Sequence, residues 1–235
     1  MLAIDRPHRN RLRLKLVIPV LIVLGLGLGA WLYDDSSADD RAADQTRPVA
    51  APIARADSVE SKMLVMGDVY WGRYINDWSM ASELGYAYPF SRLSEFDRVS
   101  YDAWIADMEC PVTNNPKVSS RIEDDTLQFD CSPDYLPQAR QWFTAMTLAN
   151  NHTDNQGAEG FTETQRHLAD NGIQHFGTYE PDDHEQLCDV ITIPARVTMS
   201  DQTIKNATLP IVWCGYHGVF KTPSAESIAV MRRYH

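Results

Sequence analysis

The run Thr147-Leu148-Ala149-Asn150-Asn151-His152-Thr153-Asp154-Asn155-Gln156-Gly157 decides how this chain reads. An apolar, strand-like segment (143–148) leads into it and a helical pattern follows (160–171), ended by Asn171-Gly172. Between strand and helix stand three asparagines, a histidine and an aspartate. In α/β sheets, ligands bind beyond the carboxyl ends of the strands. Polar groups crowded at such an end ask for a metal-site reading. The duller reading is a turn, since Asn and Asp favour turns and a lone His is most often a satisfied surface residue.

Two other apolar runs end in a similar way. Residues 62–66 read as a short buried strand that stops at Gly67-Asp68, and 104–109 as a second that ends Asp107-Met108-Glu109 before Cys110-Pro111. Taken singly, Asp68 is a turn cap and Glu109 a solvated loop carboxylate. Three strand ends together carry more weight. Carboxylates, amide oxygen and imidazole suit a hard or borderline divalent cation. Carboxylates from separate strands suit a pair of ions about 3.5–4 Å apart, which would clamp the attacking and leaving oxygens of a hydrolysis. A histidine beside them is placed for proton donation. Arg73, five positions after Asp68, is a fork-shaped donor for an anionic substrate or an ordinary surface arginine. His217, which closes a strand-like run, reads as structural ahead of ligand. His167, His175 and His184 read as surface residues. No Walker loop is present, since no GKS or GKT follows the glycines.

Further strands are expected at 127–129, 173–176, 190–199 and 209–215. Helices are expected within 71–84, over 133–142 with Ser132 as cap, and over 224–233 after Pro223. Alternating strands and helices predict a layered α/β domain over 61–235. The 235 residues, 44 % hydrophobic and 23 % charged, suit one globular domain with appendages. A net charge of -11 with the acidic residues spread out argues against a nucleic-acid partner.

The first 60 residues are different. Arg6, Arg9, Arg11, Arg13 and Lys15 make a basic tail (1–15), and residues 16–33 carry no charge. Eighteen helical residues rise roughly 27 Å, near the thickness of a bilayer core. Trp31 and Tyr33 fall where an aromatic belt is expected, and the preceding basic cluster predicts a cytoplasmic N-terminus. A cleaved signal peptide is the rival reading, disfavoured by the poor cleavage site at Ala30-Trp31-Leu32. The expectation is a single-pass anchor in the cell membrane with an extracytoplasmic domain. Residues 34–60, rich in Asp, Ala, Pro and Ser, read as a flexible tether. Outside the cytoplasm the four cysteines can form disulfides. Cys110–Cys131 and Cys188–Cys214 are nearest in sequence, though three connectivities are allowed.

Three stretches together resemble a known family. Met66-Gly67-Asp68-Val69-Tyr70-Trp71-Gly72-Arg73, Asp107-Met108-Glu109-Cys110-Pro111 and Leu148-Ala149-Asn150-Asn151-His152 through Gly157 are similar, in order, to the motifs of the CapA-like capsule and poly-γ-glutamate synthesis group. That group lies within the calcineurin-like metallophosphoesterase superfamily. The resemblance covers about residues 62–220 and implies a four-layer αββα sandwich. It implies Asp68, Glu109 and Asn151 as ligands to divalent metal ions, expected to be two, and His152 as general acid. Asn150 and Arg73 are the expected substrate contacts. Asp107 stands where the family has Asn, and Tyr70 replaces a histidine ligand of true phosphoesterases. A later His-rich stretch should complete the site, so the sequence reads as truncated before it. The implied activity is metal-dependent hydrolysis of an anionic cell-surface polymer. The alternative is a non-catalytic subunit that binds polymer or membrane-bound synthase subunits during assembly.

Overall fold

The computed structural model describes residues 54–117 and 119–234. The basic tail, the apolar run at 16–33 and residues 34–53 of the expected tether lie outside the described residues. Among the described residues, no helix is long and apolar enough to cross a membrane.

Two sheets form the domain. The first is parallel, with strands β2 (Met63–Val69), β3 (Ala103–Met108), β4 (Ala145–Thr147) and β5 (Gln174–Phe176) in that order. The second is antiparallel: β1 (Ala56–Glu60), β6 (Cys188–Met199) and β7 (Ile204–Cys214), in the order β1-β6-β7. The helices are α1 (Arg73–Ala81), α2 (Ser120–Thr126), α3 (Leu136–Ala139), α4 (Gly157–Asp170) and α5 (Ala225–Arg232). Parallel strands need crossovers, and these carry α1 and the 3₁₀ turns between β2 and β3, α2 and α3 between β3 and β4, and α4 between β4 and β5.

β3 shows why the layers form. Its side chains alternate between two apolar faces. Trp104, Ala106 and Met108 join one cluster with Leu136 and Ala139 of α3 and Phe161 and Leu168 of α4. Ala103 and Ile105 point the other way, into a cluster with Ile191 and Ile193 of β6 and Leu209, Ile211 and Trp213 of β7. A strand buried on both faces reads as a continuous apolar run, as 103–106 does. β6, by contrast, alternates buried Ile191, Ile193 and Ala195 with exposed Val190, Thr192, Pro194 and Arg196. Its outer face meets solvent. Of the four layers expected, the described residues therefore build three: helices, parallel sheet, antiparallel sheet.

Other expectations are corrected in detail. Ala56–Glu60, the last residues of the expected tether, pair with β6 as β1. The small strand expected at 127–129 is absent: Leu127 takes a left-handed conformation to end α2, an element the sequence did not suggest. The helix expected at 133–142 splits into a 3₁₀ turn, Pro133–Tyr135, and α3. Ser132 caps it as expected, its hydroxyl accepting from the Asp134 N–H. Ser224 likewise caps α5 through the Ser227 N–H at 3.1 Å. His167, His175 and His184 are half-buried rather than on the surface. Both disulfides join the sequence-nearest pairs, Cys110–Cys131 and Cys188–Cys214.

Candidate functional site

The three polar strand ends lie side by side in the parallel sheet. β2 pairs with β3 in regular register from Met63 opposite Ala103 to Val65 opposite Ile105; the register then shifts, and Asp68 stands opposite Asp107. Regular pairing would have set Asp68 against Met108. The β-bulge at Met66-Gly67 absorbs the extra residue and re-aims the strand, as bulges beside functional sites do. Across β3, Asp107 stands opposite Thr147 of β4. One edge of the sheet thus presents Asp68, Asp107 and then Glu109, whose N–H donates to the Val69 carbonyl at 3.0 Å.

The loop after β4 is held by Asn150. Its carboxamide nitrogen donates to Asp107 Oδ1 at 2.8 Å and to the Met108 carbonyl at 2.9 Å. Its oxygen accepts from the N–H groups of His152 and Thr153 at 2.9 and 3.0 Å. Asn150 is buried and both ends of its amide are engaged. The structure therefore places this expected substrate contact as the clamp between β3 and the His152 turn. Asn151, the next residue, is exposed and carries no side-chain hydrogen bond among the described residues. Gly177 and Gly215 pack beneath the same loop. A Cβ on Gly215 would meet the Thr147 hydroxyl and the Ala149 methyl, each at 2.8 Å.

His152 is oriented by residues that sequence reading passed over. Asn155 Oδ1 accepts from the Phe129 N–H at 2.8 Å, which identifies the atom as oxygen, and it stands 3.1 Å from His152 Nδ1. Nδ1 therefore carries the proton in the neutral ring, and Nε2 is left bare. That Nε2 faces Glu109 Oε1 at 4.0 Å. The imidazole stacks on Phe129, with ring centroids 4.2 Å apart. The Arg73 guanidinium lies 4.8 Å from the same Phe129 centroid, and its Nε is 4.0 Å from Asp124 Oδ1.

A buried carboxylate, Glu123 of α2, shapes the turn after β2. Its Oε2 accepts from the Tyr70 hydroxyl at 2.5 Å and from the Arg73 N–H at 2.6 Å, while Oε1 accepts from the Asp130 N–H at 3.3 Å. Arg73 opens α1 with φ 46°, a left-handed conformation uncommon for a non-glycine residue. Gly72 leaves room for this arrangement, since a Cβ there would meet Tyr70 Oη at 2.5 Å and Glu123 Oε2 at 2.7 Å. Burial pushes the Tyr70 hydroxyl far above its usual range, and its bond to Glu123 adds to the effect. The Cys110–Cys131 disulfide ties the strand exit carrying Glu109 to the loop carrying Phe129, closing a separation of 21 residues.

The electrostatics follow from crowding. Asp107 is raised to about 6, chiefly by burial and then by the charges of Asp68 and Glu109; its bond from Asn150 works the other way. Glu109 is raised too, by burial and by Asp68, while His152 and Arg73 pull it down. Carboxylates that repel one another at a sheet edge form a donor set suited in type to a divalent cation. Among the described residues, no group of three or more His, Cys, Asp and Glu side chains stands close enough to enclose an ion. The fit therefore lies in charge and chemistry, with a ligand shell short of complete. The Nε2 of His217 meets the Tyr179 carbonyl at 2.6 Å, while its Nδ1 is buried with no hydrogen-bond partner among the described residues.

Comparison with known proteins agrees with the motifs. The capsule biosynthesis protein CapA of Bacillus anthracis is 23 % identical over 137 residues, 58 % of this chain and 33 % of that protein. The chain thus spans about a third of the length of this relative. A family model described as bacterial capsule synthesis protein PGA_cap matches residues 62–207, more than half of the chain and all three strand-end motifs. The chain belongs to the PGA_cap family of bacterial capsule synthesis proteins.

Proposed function

We propose that this chain is the metal-binding part of an extracytoplasmic, membrane-anchored hydrolase that acts on an anionic polymer of the cell surface. One observation carries the reading: Asp68, Asp107 and Glu109 lie at the carboxyl ends of the neighbouring strands β2 and β3, with the bare Nε2 of His152 facing Glu109. Asp68 and Glu109 would hold a divalent cation, with Asn151 free to add an amide oxygen. Such an ion supplies an activated water and neutralises developing charge. His152, once protonated, holds a proton on Nε2 for the leaving group, and Asn155 keeps the ring from turning. Phe129 and Arg73 form one wall, and the Arg73 charge favours an anionic substrate. Asn150 positions Asp107 and His152 and touches no substrate.

The second reading, a non-catalytic subunit that binds polymer or synthase partners, draws on the short ligand count among the described residues. Turnover separates the two. The full chain, reconstituted in lipid nanodiscs with Mn²⁺, is assayed on poly-γ-glutamate and on an aryl phosphodiester. The hydrolase reading expects turnover that falls about 100-fold or more in His152→Ala, the usual scale of general acid–base catalysis. Polymer binding without turnover, unchanged in His152→Ala, would favour the assembly role.

A further inference from the structure

The antiparallel sheet carries a disulfide that the candidate site does not use. Cys188 and Cys214 stand directly opposite one another where β6 begins and β7 ends. Alternation along β6 puts Ile191, Ile193 and Ala195 in the core and Cys188 on the other face, with exposed Val190, Thr192 and Pro194. Both cysteines are half-buried, whereas Cys110 and Cys131 are fully buried. The two bonds close separations of 26 and 21 residues, so loop-closure entropy treats them nearly alike. Access is what separates them. A cavity of about 540 Å³ provides it, within the range of small-molecule sites, roughly 300–1,000 Å³. Glu226 and Ala229 of α5 and its cap Arg233 form one side; His184, Glu185 and Cys188 form the other. Cys188 therefore borders the cavity and Cys214 lies behind it.

We propose that Cys188–Cys214 is a thiol-exchange site, at which a low-molecular-mass thiol enters the cavity and attacks Cys188. The thiolate sulfur bonds to Cys188 Sγ, the Cys188–Cys214 bond breaks, and Cys214 leaves as a thiolate that takes a proton from water. A second molecule of thiol attacks the first one's sulfur in the mixed disulfide and releases Cys188 as its thiolate. The two thiols leave as their own disulfide, and the electron pair they give up stays on the two cysteines. The strands stay paired, since the β6–β7 ladder continues from Asp189 opposite Trp213 to Thr198 opposite Ile204. What loosens is the end of the ladder, where the Gly215 N–H donates to the Leu187 carbonyl at 2.9 Å. Gly215 packs against Thr147 and Ala149, just before the Asn150 turn. Opening the bond thus relaxes the support of the candidate site. The exchange chemistry does not depend on the hydrolase reading.

Differential alkylation tests this. The full chain in lipid nanodiscs is incubated with 2-mercaptoethanol at mildly alkaline pH, quenched with acid and alkylated, and each cysteine is read by peptide mass spectrometry. Cys188–Cys214 should open at least about tenfold faster than Cys110–Cys131, because exposing a buried sulfur requires local opening and each ~1.4 kcal/mol of that cost is a factor of ten. The mixed disulfide trapped at short times should sit on Cys188. Ala229→Trp, a change at an exposed position of α5 that narrows the cavity, should slow the first bond about tenfold and leave the second unchanged. Equal rates for the two bonds, an adduct on Cys214, or an unchanged rate in an Ala229→Trp variant shown folded by circular dichroism would overturn the exchange site. In a second arm, the selectively reduced and alkylated protein is compared with the oxidised one by hydrogen exchange. The peptide carrying Asn150 to Thr153 should take up deuterium faster. Identical uptake would overturn the link to the candidate site and leave the exchange site standing.

Discussion

Replacing Asn150 by alanine should unseat the candidate site and cost a large part of the domain's stability. The truncation removes two donors and one doubly used acceptor. The Thr153 N–H and the Met108 carbonyl belong to fully buried residues and lose their partner outright. Each buried orphan costs roughly 1–3 kcal/mol. The His152 N–H and Asp107 Oδ1 are only half-buried, so water recovers part of their loss. The sum is about 3–5 kcal/mol, against a total of roughly 5–15 kcal/mol for a typical domain. Urea titration of the full chain, followed by tryptophan fluorescence, reads this directly. A companion variant sharpens the test. Asn150→Asp keeps the acceptor for both N–H groups but sets a second carboxylate against Asp107. Two adjacent carboxyls share a proton in the fold, which raises one of them. A raised carboxyl favours the fold at low pH, so Asn150→Asp should lose stability at neutral pH and regain it on acidification. A loss below about 1 kcal/mol in the alanine variant, or a pH-independent defect in the aspartate variant, would refute the clamp.

Other outcomes follow from the same structure. Removing the Cys110–Cys131 bond with paired alanines should cost about 3 kcal/mol, the chain-entropy value for a loop of this size; a denaturation midpoint equal to wild type would contradict its role as the staple between Glu109 and Phe129. His175 is lowered by burial, with the Asp189 charge opposing. Its neutral form is the one the fold accepts, so stability is full above the ordinary value of 6.5 and falls as pH drops below it. His175→Gln should flatten that acid loss in thermal melts between about pH 6.5 and 5. Asp189, raised by burial, acts with the opposite sign and nearer its own ordinary value.

The parts legible in the sequence were those written locally. The ends of β2, β3 and β4 show as polar residues after apolar runs, and the caps Ser132 and Ser224 show as hydroxyls before helical patterns. The disulfide pairs also follow sequence proximity. Other parts depend on distant contacts. Glu123 sits in a short helix with an ordinary acidic sequence, and only the fold puts Tyr70 and Arg73 against it. The bulge that sets Asp68 opposite Asp107 is a matter of register, which Gly67 hints at but does not prescribe. Phe129 is of a residue type that favours strands; its packing against His152 and Tyr70 holds it in a loop instead. β1 buries no apolar side chain, its one valine, Val59, being exposed, so its pairing with β6 rests on backbone hydrogen bonds that composition does not show. Asn155 was the nearest miss, since a residue three positions after His152 in a turn is within reach of its ring.

On the proposed reading Asp68 and Glu109, at the ends of the paired strands β2 and β3, jointly hold a divalent cation. Calorimetric titration of Mn²⁺ into the metal-stripped full chain, beside Asp68→Asn and Glu109→Gln, measures this. Saturable binding that weakens at least tenfold in each variant is the predicted result. Binding of equal strength in all three proteins, or none in the wild type, would contradict it.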